Sequence, residues 1–245
     1  MLAYDKIVLF GDSLIQFSVG DGGLTPCLMN HYQRQLDILV RGFSGYNTEW
    51  CKDMLQPVLE GVGPGKIAAV VIFLGTNDAA AQGSLQHVSV EQYQANLQHM
   101  AEVAAQFTSK VVLVGTAIMD EKNPAQEPGL RTNHSLFNYG RACRRVANDL
   151  GIPFVDLASE IYKSLGVSDY NAAMPGDADY TGEISVDGLV PDGLHFSADA
   201  YKIFFDALLR ALDIPAEQTV MPPWRSISGA HDIKYARTVL ERRTP

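Results

Sequence analysis

The sequence predicts an α/β protein, a doubly wound three-layer α/β/α sandwich built on a five-stranded parallel sheet. Three observations carry that expectation. Five apolar runs rich in β-branched residues, several unbroken by polar positions, read as strands buried on both faces. Between them lie segments with helical periodicity and recognisable caps. The alternation of the two implies parallel strands joined by right-handed helical crossovers.

The strands are expected at Ile7–Phe10, Ile38–Val40, Ala68–Leu74, Val111–Thr116 and Phe154–Leu157. Thr25 and Pro26 fit the N-cap and first position of a helix running to about Leu36. Trp50, Met54 and Leu55 fall at helical core spacing. Ser89 followed by Gln92 reads as a capping box before a helix to about Phe107. Gly151 suits the residue after the end of a helix over His134–Leu150, and Ser197 can cap a last core helix, Ala198–Leu212. Two stretches break the alternation. Val167–Val190, rich in Asp and Gly, is a long loop of the kind that folds over a binding rim. The tail after Asp213 holds Pro222 and Pro223, carries a short helix near Ile233–Arg242, and is expected to pack across the body.

The chain has 245 residues, 47% hydrophobic and 19% charged, with 21 Gly and 12 Pro. That is an ordinary globular balance, large enough for one sizeable core, so a single domain over 1–245 is expected. A formal net charge of −9 gives no electrostatic footprint for nucleic acid or an anionic membrane, and small neutral or cationic substrates suit it better. Cys27, Cys51 and Cys143 are odd in number, widely spaced and free of any CxxC pattern. They read as three reduced core thiols, neither a disulfide framework nor a zinc site. Asp5 and Lys6 stand before only four apolar residues, too few for a secretory or membrane-spanning segment, which makes a cytoplasmic setting the default. A homo-oligomer stays open.

In a doubly wound sheet, sites form outside the carboxyl ends of the strands. The first three strands are followed by polar, glycine-containing loops: Gly11-Asp12-Ser13-Leu14, Gly42-Phe43-Ser44-Gly45-Tyr46-Asn47 and Gly75-Thr76-Asn77-Asp78. A serine hydroxyl is a weak nucleophile unless an imidazole takes its proton, and the imidazole needs an acceptor to fix its tautomer. Asp192-Gly193-Leu194-His195 supplies orienter and base three residues apart. Backbone N–H groups at the Ser13 turn and at Gly45, with the Asn77 side chain, can surround one developing oxyanion.

These blocks also have plainer readings. Ser13 alone reads as a helix N-cap, Asp12 and Asp78 as loop-bracing carboxylates, and His195 as a cap-region residue. Ser44 sits in an approximate GxSxG elbow, but Tyr46 replaces its last glycine, so Ser44 is rejected as nucleophile. His31, His87, His99, His134 and His231 lack a nearby carboxylate in a strand-end loop and read as surface or packing residues.

Taken together, Gly11-Asp12-Ser13-Leu14, Gly45, Gly75-Thr76-Asn77-Asp78 and Asp192-Gly193-Leu194-His195 resemble the four ordered blocks of the GDSL, or SGNH, hydrolase family, which has a flavodoxin-like sandwich. The wording of Arg41–Thr48 is further similar to the isoamyl acetate-hydrolysing esterase branch. The resemblance implies a serine esterase with Ser13 as nucleophile, His195 as general base and acid, and Asp192 as orienter. It also implies the Ser13 and Gly45 amides and the Asn77 side chain as oxyanion hole, with no metal or organic cofactor. A small, short-chain ester is the substrate it favours, and Leu14 and Phe43 are candidate acyl-pocket residues. Acyl transfer through the same intermediate, a metal site ringed by Asp12, Asn77, Asp78, Asp192 and His195, and a non-catalytic binding role are the alternatives.

Overall fold

The structure, a computed structural model, describes residues 4–63, 65–167 and 172–216. Its centre is a sheet of five parallel strands: β1 (Asp5–Gly11), β2 (Leu36–Gly42), β3 (Ile67–Phe73), β4 (Val111–Val114) and β5 (Phe154–Val155). They lie in the order β2-β1-β3-β4-β5, with Gly11 of β1 level with Gly42 of β2 on one side and Phe73 of β3 on the other. Successive side chains of a strand point to opposite faces. Ile7 and Leu9 therefore enter one apolar core and Val8 and Phe10 the other.

Among the described residues, eight α-helices flank the sheet. They are α1 (Ser13–Gln16), α2 (Leu24–His31), α3 (Thr48–Cys51), α4 (Leu55–Glu60), α5 (Val90–Ala105), α6 (Asn133–Leu150), α7 (Leu157–Ser164) and α8 (Ala198–Leu212). A 3₁₀ turn over Phe17–Val19 follows α1. Leu24 and Leu28 of α2, Leu157 and Ile161 of α7 and Phe204 and Leu208 of α8 cover one face. Leu55 of α4, Leu97 and Met100 of α5 and Leu136 and Cys143 of α6 cover the other. From β1 the chain winds outward to β2, then returns across β1 to β3. The order thus reverses between β1 and β3, and a crevice forms there at the strands' carboxyl ends.

Most caps are as the sequence suggests, and four local features differ. The helix expected from Thr25 to Leu36 is shorter: Gly23 occupies the N-cap, and Leu36 already belongs to β2. The Thr25 hydroxyl is engaged instead with Ser18 Oγ at 2.7 Å. Ser89 accepts from the Gln92 amide, but the Gln92 side chain turns to Asn96 Oδ1, so only half of the capping box forms. Thr132 and Ser135 make the reciprocal box at the start of α6. The run expected as a strand to Leu157 ends at Val155, because Asp156 accepts from the Ser159 amide and starts α7.

The Val167–Val190 segment, in its described part, is pinned to the body. Met174, Val186 and Val190 are buried, Tyr162 Oη donates to Pro175 O, and Glu121 N donates to Gly176 O at 2.8 Å. Trp50 is 38% exposed, edge-on to Tyr46, and is not a core residue. Cys51 and Cys143 are buried thiols, whereas Cys27 is half-buried. His31 packs edge-on against Tyr32 and Phe205, and His87 Nδ1 pairs with Ala80 O at 2.7 Å. His231 and the tail from residue 217, including the helix expected near Ile233–Arg242, lie outside the described residues. Among the described residues no helix is long and apolar enough to cross a membrane.

Candidate active site

The site is assembled at the carboxyl ends of β1, β2 and β3. Ser13 is the first residue of α1, separated from β1 by Asp12 alone, and is 6% exposed. The strand must give way to helix within one residue here, and Gly11 permits it: a Cβ at that position would stand 2.4 Å from Phe73 O. Asp12 is the N-cap, its Oδ1 accepting from the Leu14 amide at 2.9 Å. Its other oxygen is buried without a hydrogen-bond partner among the described residues. Burial above all, with the nearby Asp78 carboxylate, overcomes the Leu14 amide and pushes the Asp12 carboxyl up to about 7.

Asp192 and His195 approach from the loop before α8. His195 Nε2 lies 3.0 Å from Ser13 Oγ, and its Nδ1 lies 2.6 Å from Asp192 Oδ2. An ionised carboxylate only accepts, so Nδ1 carries the proton and Nε2 is left to accept from the serine hydroxyl. Asp192 Oδ1 also accepts from the backbone amides of Leu194 and His195, at 2.9 and 2.7 Å. Burial works to raise the Asp192 carboxyl, but the ring and the two amides outweigh it and hold it below the usual carboxylate value.

The loop after β4 braces this turn: Asp120 N donates to Gly193 O, Asn123 Nδ2 to Pro191 O, and Gln126 Nε2 to Asp192 O. Gly193 has φ +87°, and a Cβ there would come within 2.7 Å of both Asn123 and Gln126. Only glycine suits that turn.

The opposite wall comes from the loops after β2 and β3. Asn77, 4% exposed, donates from Nδ2 to Tyr46 O at 2.8 Å, and its Oδ1 accepts from Arg131 and Gln86. An amide nitrogen has two hydrogens, so one remains for a ligand. Among the described residues the Gly45 amide donates to no protein group. Asp78 lies beneath this wall. It accepts from the Thr48 amide and hydroxyl, and burial raises its carboxyl to about 6 against those hydrogen bonds.

The structure therefore brings together Ser13, Asp192 and His195, with Gly45 and Asn77 on the loops beside them. Leu14, expected at an acyl pocket, is 1% exposed and packs in the core, because α1 turns it inward. Phe43 is half-buried between the rings of Phe10 and Tyr46. Phe17, not singled out by the sequence, stands edge-on to His195 at 5.1 Å and is 45% exposed. Ser44 is exposed, its amide held by Gln16 Oε1 and its hydroxyl bonded to no histidine among the described residues. The described residues contain no group of three or more His, Cys, Asp or Glu arranged to hold a metal ion.

Residues 9–203 match the GDSL-like lipase/acylhydrolase family, and the chain belongs to it. The chain is 32% identical to the isoamyl acetate-hydrolyzing esterase of Saccharomyces cerevisiae, over 97% of its own length and 96% of the yeast protein. It is also 32% identical to a Bos taurus homologue of that esterase, over 94% and 90% of the two chains. Among solved structures it resembles an alpha/beta hydrolase from the Lake Arreo metagenome, with TM-score 0.65 and 21% identity, over 87% and 97% of the two chains. An acetylxylan esterase from Geobacillus stearothermophilus superposes with TM-score 0.64 and 19% identity, over 89% of this chain and all of that one. The protein is a carboxylic ester hydrolase with the α/β fold of that family.

Proposed function

We propose that the protein hydrolyses small, short-chain carboxylic esters through an acyl-enzyme at Ser13. The observation that carries this reading is the continuous chain of hydrogen bonds from Asp192 through His195 to a buried serine hydroxyl at the strand-reversal crevice. Ser13 Oγ attacks the ester carbonyl carbon as His195 Nε2 takes its proton. The carbonyl oxygen becomes an oxyanion, met by the Ser13 and Gly45 amides and the free Nδ2 hydrogen of Asn77. His195 passes its proton to the departing alkoxide, which leaves as alcohol. Water then attacks the acyl-serine, its proton going to Nε2 and returning to Ser13 as the acid is released. Asp192 stays ionised throughout and stabilises the transient imidazolium.

The name of the yeast relative supports an acetyl ester of a branched apolar alcohol. The exposed rings of Phe17 and Tyr46 beside the site are suited to such an alcohol. The test is hydrolysis of p-nitrophenyl esters of increasing acyl length by the wild-type and Ser13→Ala proteins. Turnover should fall as the acyl chain grows, and Ser13→Ala should lower kcat by about 10⁴- to 10⁶-fold. Full activity in Ser13→Ala, or a preference for long acyl chains, would refute the corresponding half of the reading.

A further inference from the structure

Arg131 lies in the loop between β4 and α6, 9% exposed, with no carboxylate within ion-pair distance among the described residues. Its guanidinium hydrogen-bonds only neutral oxygens. Nε donates to Thr76 O at 2.9 Å, and Nη2 donates to Asn77 Oδ1 at 3.0 Å and to Gln86 Oε1. Burial lowers its pKa, as it does for any cation taken out of water, against the opposing fields of the Asp12 and Glu127 carboxylates. A buried guanidinium whose hydrogen bonds all go to carbonyl oxygens is costly, and its place behind a candidate oxyanion donor needs a reason.

The donor inventory supplies one. Arginine can only donate, so the atoms facing Nη2 must be the oxygens of the Asn77 and Gln86 amides. With Oδ1 turned to Arg131, Asn77 must present Nδ2 on its other side, where Tyr46 O takes one hydrogen. With Oε1 turned to Arg131, Gln86 must present Nε2, which donates to Gly45 O at 2.8 Å and to Asn77 Oδ1 at 3.2 Å. The Gln86 backbone carbonyl separately accepts from Asn47 Nδ2 at 2.9 Å. One cation thus sets the orientation of both side-chain amides, and through Gln86 it ties the Gly45 loop to Asn77.

We propose that Arg131, relayed by Gln86, is the positioning residue of the oxyanion hole, holding Asn77 Nδ2 toward the substrate oxygen and polarising that amide as negative charge develops. The inference rests on the reading of Ser13 as nucleophile and of Asn77 as oxyanion donor. A donor whose own carbonyl is bound to a cation is a stronger donor, and the effect grows with the charge on its acceptor. The benefit therefore falls on the transition state more than on the bound ester.

The test is a double-mutant cycle on p-nitrophenyl acetate hydrolysis with Arg131→Met, Asn77→Ala and the pair. Arg131→Met should lower kcat by about 10- to 100-fold, part of the worth of one oxyanion donor, with KM changed less than about threefold. The pair should be no slower than Asn77→Ala within about threefold, because Arg131 acts through the amide already removed. Arg131→Lys should recover part of the loss, since a point charge polarises the amide without fixing both orientations. Gln86→Leu, at a half-buried position, gives a second route if Arg131→Met does not fold. It should lower kcat about 10-fold and likewise add nothing to Asn77→Ala. Losses that multiply in the pairs, or a rise in KM with kcat unchanged, would overturn the proposal. Full activity in Ser13→Ala would instead overturn the reading beneath it.

Discussion

The two walls of the crevice are built in opposite ways. The wall carrying Gly45 and Asn77 rests on the ends of β2 and β3 and on a buried polar web: Asp78 with Thr48, Arg131 with Asn77 and Gln86, and Asn96 Nδ2 on Thr48 Oγ1 at 3.1 Å. The wall carrying Asp192 and His195 is a surface turn. The Asp192 side chain is 48% and the His195 side chain 32% exposed, and the turn is held mainly through backbone carbonyls of residues 191–193. Water screens a charge on the second wall and barely reaches the first. On the proposed mechanism this is a division of labour: the Asn77 wall would work by fixed electrostatics and the His195 wall by geometry, with Asp192 an orienter more than a source of field.

Ser13 joins the two walls, so its loss should exceed every other single change, at the scale given above. Asp192→Ala comes next. A buried triad carboxylate is worth about 10⁴-fold in kcat, and a half-exposed one, partly replaced by water, should cost about 10²- to 10³-fold. A loss as large as that of Ser13→Ala would show the His195 wall to be an electrostatic device after all. Asn77→Ala should cost about 10²-fold in kcat and leave KM nearly unchanged, as expected for a donor engaged in the transition state. Loss through KM alone would place Asn77 in ground-state binding.

A smaller effect, on stability, probes the depth of the buried side. The Asp12 carboxyl titrates at about 7, above its ordinary 3.8, so the folded state favours the protonated acid. Its stabilising contribution is complete below about pH 3.8 and is lost as the pH rises through about 7. Asp12→Asn keeps an oxygen for the Leu14 amide and removes the titration. It should flatten stability between these values and raise the urea midpoint at pH 8 relative to the wild type. An unchanged pH dependence would contradict the burial argument.

How much of this the sequence discloses follows the same division. The strand-end blocks are legible because β-branched runs mark the strands and glycines mark the turns that leave them, which places Ser13, Gly45 and Asn77 on one rim. The Asp192–His195 pair is legible because a carboxylate and an imidazole three residues apart on one turn can reach each other. Arg131 and Gln86 are not: they lie 54 and 9 residues from Asn77, in loops without periodicity, and only tertiary hydrogen bonds show their partner. Helix α7 is hidden in the sequence for a different reason. Phe154-Val155-Asp156-Leu157 reads as a strand until Asp156 is seen to cap, a competition between apolar run and local side-chain bond that the fold decides. Leu14 lies in the core and not at a pocket because the one-residue passage from strand to helix turns it inward while Ser13 keeps the rim.

The central claim, that Ser13 is the nucleophile, is tested most directly by treating the folded protein with a fluorophosphonate and mapping the adduct by peptide mass spectrometry. A single adduct on Ser13 is expected, formed far more slowly in His195→Ala. An adduct on another serine such as Ser44, or none on the folded protein, would contradict it.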